Sequence, residues 1–289
     1  MSGLRVAYLD CASGAAGDMV LGALVDLGLP LETLQAELAR LPLRGYRLEA
    51  HKVHRAGLHA TKVDVITDGH GHGHEHRGLA DILGLIDRSG LDADTQGRCA
   101  ALFRRLAEAE AAVHGTSTES VHFHEVGAVD AIVDIVGGVI GLSWLRADRI
   151  VASPLNVGTG TVAMQHGVFP VPPPATARLV QGVPVYGAGE GELLTPTGAL
   201  LVTSHATTYG PLPALTLEAV GHGAGTRDPH GRPNVLRVFV GEAVAEAAAG
   251  ARVVVLETEV DDMSPQLCGP LVERLLGAGA LDAYLTPIQ

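Results

Sequence analysis

Between Val126 and Leu145 almost every side chain is apolar, and no other stretch constrains the chain as strongly. Twenty such residues could cross a membrane or form the buried helix of a globular core. Asp130 and Asp134 decide between these, because each would cost about +2.5 to 3.5 kcal/mol at mid-span on insertion scales. Four glycines weaken the membrane reading further, so the run is read as a buried helix. The two acids are four residues apart and share one face of it. Asp134 lies too deep for the helix dipole to favour it, and buried carboxylates are normally paired or bound to metal. With His122, His124 and Glu125 just ahead, the stretch HFHEVGAVDAIVD reads as a site. The alternative is a set of acids paired with arginine.

The pattern around this helix is mixed α/β. Leu4–Leu9 reads as a strand, Met19–Leu27 as an apolar helix, and Pro30 opens a second helix reaching about Leu41. Tyr46–Val53 and His59–Ile66 read as a strand pair joined around Gly57. Leu79–Ile86, Asp94–His114, Ala175–Gln181 and Thr195–Ser204 read as helices, with strands at Ile150–Ser153 and Val235–Val240. The expected fold is α/β, a mixed sheet with flanking helices. The tail reads strand (Val253–Val260), helix (Pro265–Leu276), strand (Leu281–Thr286). A lone βαβ unit cannot bury its second face, so an incomplete C-terminal βαβ domain is expected there. We place a first domain at 1–242 with an internal His-rich loop at 68–77, a linker at 243–250, and the start of a truncated domain at 251–289.

Composition excludes several classes. A 47% hydrophobic fraction argues against disorder, and a net charge of −12 lacks the footprint of a nucleic-acid binder. Three scattered cysteines imply no disulfide framework, and the N-terminus has no apolar signal core, so a cytoplasmic protein outside the membrane is expected. Cys11 sits where a reactive thiol could, at a strand end in a polar loop.

Histidine is the outlying residue type. Seven of fourteen lie between His51 and His76. HGHGHEH presents His70, His72, His74 and His76 at alternate positions, so a glycine-spaced loop can wrap several nitrogens around one ion. In the loop CASGAAGD, Ser13, Gly14 and Gly17 could offer N–H groups to a phosphate, with Asp10 and Asp18 beside a cation; a plain turn with Asp18 as helix cap is the alternative. LETEVDDMSPQ puts Glu257, Glu259 and Asp261 on one strand face with Asp262 beside them, either a divalent-cation site or a solvated edge. Glu192, His166, Arg237 and the glycines of GHGAGTRD are weaker candidates: glycines serve close approach, and Arg237 could simply pair with an acid.

Together DCASGAAGDM, the histidine tract, VHFHEVGAVDAIVDIVG, SPLNVGTGTV, HGVFPVPPPAT, GELLTPTGA, GHGAGTRD and LETEVDDMSPQ resemble the LarC family, from Leu4 to Ile288. These are the nickel insertases of the nickel-pincer cofactor. The resemblance implies insertion of nickel into pyridinium-3,5-bisthiocarboxylic acid mononucleotide, forming two Ni–S bonds and one Ni–C bond. It further implies consumption of CTP with Mn or Mg, and a product that serves lactate racemase. Family members continue past the position of Gln289 into the rest of a CTP-binding domain. A separate C-terminal polypeptide is therefore an expected partner, and an oligomer is expected when the chain is complete.

Under that resemblance the ring proton displaced by nickel needs a base, for which His124 and Glu125 are the candidates. The substrate phosphate would suit Ser13, Gly14 and Gly17 with Asp18. His70, His72, His74, His76, His122, Asp10, Asp130, Asp134, Asp261 and Asp262 are the metal-ligand candidates. The competing reading is a nickel storage or delivery protein without catalysis of its own.

Overall fold

A computed structural model describes residues 3–67, 77–121, 123, 129–164, 167–244 and 254–287. The chain divides into two compact units, Met1–Glu246 and Ala247–Gln289. The first is the mixed α/β unit anticipated from the sequence. Its sheet strands are β1 (Arg5–Asp10), β2 (Tyr46–Arg55), β3 (Leu58–Thr67) and β4 (Arg149–Ala152). Six short strands follow, β5 to β10: Leu155–Asn156, Gly158–Thr159, Thr161–Met164, Gly167–Pro170, Val185–Tyr186 and Gly191–Glu192. They pair among themselves outside the main sheet. β11 (Thr208–Tyr209), β12 (Leu215–Ala224) and β13 (Val235–Ala243) complete the seven-stranded sheet, ordered β11-β4-β1-β13-β12-β3-β2.

β1 is buried on both sides, as its sequence RVAYLD allows. Ala7 and Leu9 enter the main core, while Val6 and Tyr8 join Val151 and Phe239 on the opposite face. It runs parallel to β4 and antiparallel to β13.

The helices are α1 (Gly17–Asp26), α2 (Leu31–Leu38), α3 (Leu79–Asp87), α4 (Ala93–His114), α5 (Val129–Trp144), α6 (Pro174–Leu179) and α7 (Pro196–His205). The apolar run of the sequence forms α5, which packs against α1, α2, α4 and α7 as the centre of the core. Among the described residues no helix is long and apolar enough to cross a membrane.

α1 lies unusually close to the sheet, and glycines explain how. A Cβ on Gly223 would stand 1.8 Å from the Met19 carbonyl oxygen, and one on Gly221 2.1 Å from that of Ala23. Two glycines of GHGAGTRD thus serve helix approach. Gly223→Ala is expected to cost about 3 kcal/mol through overpacking against backbone that cannot yield, read as a lower midpoint in urea unfolding.

In the second unit a 3-10 turn (Pro265–Leu267) leads into α8 (Cys268–Gly277). The strands expected at Val253–Val260 and Leu281–Thr286 are absent among the described residues. A strand needs a ladder partner, and none is provided: Leu256 stays 91% and Leu281 84% exposed. The shared strand face proposed for Glu257, Glu259 and Asp261 therefore does not form.

Candidate active site

Three helices of the first unit begin at one place. The N-termini of α1, α5 and α7 border a cleft of ≈ 280 Å³ lined by Gly17, Asp18, Asp130, Asp134, Glu192 and Thr197, among others. Thr195 caps α7, its Oγ1 accepting the Gly198 N–H at 3.2 Å, and Thr197 Oγ1 accepts the Gly17 N–H at 3.2 Å. That second bond ties the first turns of α1 and α7 together. Helix N-termini carry partial positive charge, and here they gather acids: Asp18 and Asp130 both lie in first turns.

Asp134 stands one turn further along α5 and differs from both. Its Oδ1 is sealed from solvent, and among the described residues no donor reaches it. Burial pushes its carboxyl well above the usual carboxylate range; the charges of Asp18 and Asp130 push the same way, and Lys62 opposes them. Gly17 makes room for this carboxyl, since a Cβ there would be 2.5 Å from Asp134 Oδ2.

The balancing cation is Lys62. Only 5% exposed, it donates to Asp18 Oδ2 at 2.9 Å and Asp64 Oδ1 at 2.8 Å. Burial draws the ammonium pKa down, but Asp18 and Asp64 more than offset this and hold it above the ordinary lysine value. Asp18 is therefore neither a plain N-cap nor an unmatched ligand. It accepts the Met19 N–H with one oxygen and Lys62 and Thr226 with the other.

The loop before α1 is tightly committed. Gly14 has φ 83°, and a Cβ there would meet the Leu193 carbonyl oxygen at 1.9 Å. Its N–H goes to Cys11 O and that of Ala15 to Leu193 O. Ser13 donates to Pro233 O. Of the N–H groups expected to meet a phosphate, those of Gly14 and Gly17 thus already have protein acceptors, as does that of neighbouring Ala15. The loop's contribution to the cleft is the Ala16–Asp18 edge. Asn156, fully buried, holds the loop from behind, donating to both Ala12 O and Ala188 O.

Asp10 does not join the cleft acids. It sits opposite Arg237 in the β1–β13 register, and the two form a close ion pair. By strand alternation it shares the face of Val6 and Tyr8, away from the face that α1 covers. A fixed guanidinium occupies the place proposed for a cation. Cys11 is likewise no nucleophile: it is fully buried, and burial, then the Asp10 charge, pushes its thiol up to about 12.

His70, His72, His74, His76, His122, His124, Glu125 and His166 lie outside the described residues. Among the described ones, no three His, Cys, Asp or Glu side chains stand close enough to hold one metal ion. Asp261 and Asp262 are exposed residues of the second unit. Lys62 escaped the sequence reading, although a lysine inside an apolar strand, one of only two in the chain, was a usable signal. Thr195 and Thr197 enter the sequence reading only as part of the helix Thr195–Ser204.

A relative in Geobacter sp. (strain M21) is 51% identical over 288 residues, covering 99% of this chain and 74% of its own length. The pyridinium-3,5-bisthiocarboxylic acid mononucleotide nickel insertion protein of Geobacillus kaustophilus (strain HTA426) is 45% identical over 301 residues, 99% of this chain and 73% of its own. Its namesake in Desulfitobacterium hafniense (strain DSM 10664 / DCB-2) is 48% identical over 293 residues, 99% of this chain and 72% of its own. No solved structure matches. A family model described as nickel insertion protein matches residues 7–289. With that extent of match, the chain belongs to the nickel insertion protein family.

Proposed function

We propose that this protein inserts nickel into pyridinium-3,5-bisthiocarboxylic acid mononucleotide, the reaction for which two relatives matching 99% of the chain are named. Nickel and the mononucleotide are both substrates. The acidic cleft of the first unit is the proposed place of reaction. The observation that best supports it is the solvent-sealed Asp134 Oδ1 on the cleft wall, which no donor among the described residues reaches. A carboxyl held out of its ordinary range is poised to exchange a proton or meet a cation.

Carbon metallation displaces a ring proton, and a nearby base must accept it. His124 and Glu125 immediately precede α5, whose second residue, Asp130, lines the cleft. We assign them as the base, with Asp134 as the group that takes or relays the proton. The Ser13, Gly14 and Gly17 loop is retained for the nucleotide end of the substrate, acting through its Ala16–Asp18 edge. The histidine tract at 68–77 would collect nickel and pass it inward to the rest of the 1–242 domain.

CTP with Mn or Mg is the proposed energy source, bound by residues from 251 onward and by a separate C-terminal polypeptide or oligomeric partner. The cleft's oxygen donors suit such hard cations in kind. Among the described residues they do not converge on one point. The product would serve lactate racemase, and the proposed setting is cytoplasmic.

The test combines nickel, the mononucleotide and CTP with Mg, with and without an added C-terminal polypeptide, and follows the metallated product by absorbance and mass. Deleting Gly69–His76 should leave the rate intact at saturating nickel. Bound nickel with no metallated product in any arm would leave a storage protein instead.

A further inference from the structure

Two histidines outside the cleft face each other across the first hairpin. β2 and β3 are joined by Ala56 and Gly57, with φ 47° and 83°. Positive φ at both central residues gives the tight two-residue turn that matches strand twist. The register is then fixed: Arg55 lies opposite Leu58, and His54 opposite His59. Flanking pairs at such a turn exchange backbone hydrogen bonds, and the alternation makes the next pair, His54–His59, a non-hydrogen-bonded one with side chains close together. Both residues are exposed, and their ring centroids stand 5.1 Å apart, tilted by 41°.

That spacing has a chemical meaning. An imidazole nitrogen binds a transition ion at about 2.0–2.1 Å, so two rings on one ion have centroids about 4.5 Å apart at a right angle and about 5.2 Å at a tetrahedral angle. The observed separation falls within this span without any movement of backbone. Four other described histidines have a different neighbour each. His51 faces Asp64, His114 faces Glu110, His222 faces Asp26, and His205 contacts the Leu201 carbonyl. Lys52, next along the same face, is matched by Asp26, which limits its repulsion of an arriving cation. The net charge of −12 favours cation approach.

We propose that His54 and His59 form a docking site for a divalent transition ion, nickel being the probe of choice, separate from the acidic cleft. Imidazole suits Ni, Cu and Zn. Two protein nitrogens leave the remaining positions to water, so the ion is held exchangeably on a rigid strand pair. The site goes beyond the insertion reading and does not depend on it.

The test uses the full chain and nickel alone, with no mononucleotide or CTP. Each histidine's reactivity toward diethyl pyrocarbonate is read by peptide mass spectrometry across a nickel titration. Nickel should protect His54 and His59 together, both in the native chain and in one carrying His70→Gln, His72→Gln, His74→Gln and His76→Gln. In His54→Gln, the nickel needed to protect His59 should rise on the order of 100-fold, because two groups on one scaffold bind far better than one. Both residues are exposed, so an unchanged thermal midpoint confirms that the variant is folded. Absence of protection, unchanged protection of His59 in His54→Gln, or protection that vanishes with the tract histidines would each overturn the proposal. Failure of insertion would leave this result standing.

Discussion

Asp134→Asn should stop nickel insertion and stabilise the protein at the same time. Asparagine keeps the shape of the side chain and removes its ionisation. Loss of a proton-exchanging group should lower the rate at least about a hundredfold. The stability gain follows from the carboxyl's position: its Oδ1 is sealed off with no donor among the described residues, and burial and neighbouring charge raise its pKa. The folded state therefore holds a proton that the unfolded chain gives up. The stability this contributes is fully present below the ordinary aspartate value, and is lost as pH rises through the raised folded value. At neutral pH the native chain carries the strain and the variant does not. Relief on the order of 1 kcal/mol corresponds to a thermal midpoint roughly 2–4 °C higher. Thermal unfolding in mildly acidic and mildly alkaline buffer checks the sign, since the advantage should grow with pH. An Asp134→Asn variant with native insertion rates would remove Asp134 from the mechanism.

How much of this was readable beforehand depends on how local each cause is. α5 was legible because its apolar run is continuous, and the unusual position of Asp134 was visible from its depth in that run. The hairpin of β2 and β3 was legible because alternation and the Gly57 turn lie within twenty-odd residues. β12 was not, since the glycines of GHGAGTRD suggest close approach without saying what approaches. Their reason is α1, about two hundred residues away, lying on them. The Asp10–Arg237 pair has the same origin: a register between β1 and β13 joins residues 227 positions apart, and no spacing rule announces it. The phosphate-loop reading of Ser13–Gly17 was plausible by composition, but tertiary contacts with Leu193 and Thr197 engage its N–H groups. In the tail, alternation alone suggested strands that have no partner among the described residues.

Lys62 carries the second large effect, and it tests whether the cleft is an electrostatic unit. Lys62→Met retains a stem of similar length but deletes the one buried ammonium that meets Asp18 and Asp64. Breaking a buried pair by removing one partner typically costs about 3–5 kcal/mol, because the other charge is left unmatched. Here two carboxylates lose that partner, and Asp18 would then face Asp130 and Asp134 without its ammonium. In the native chain the raised lysine pKa means that this contribution is fully present below the ordinary lysine value and is lost only as pH rises above it. In the variant the penalty should instead shrink as pH falls into the carboxylate range and the orphaned acids protonate. Denaturant unfolding across pH reads both limbs. Asp18→Asn placed on top of Lys62→Met should recover part of the loss, although Asp18→Asn alone destabilises the native chain, and that sign reversal is the coupling. If the two changes simply add, Lys62 and Asp18 are neighbours without being partners. A divalent cation should also raise the thermal midpoint of Lys62→Met more than that of the native protein, because the deleted ammonium leaves the cleft with uncompensated negative charge.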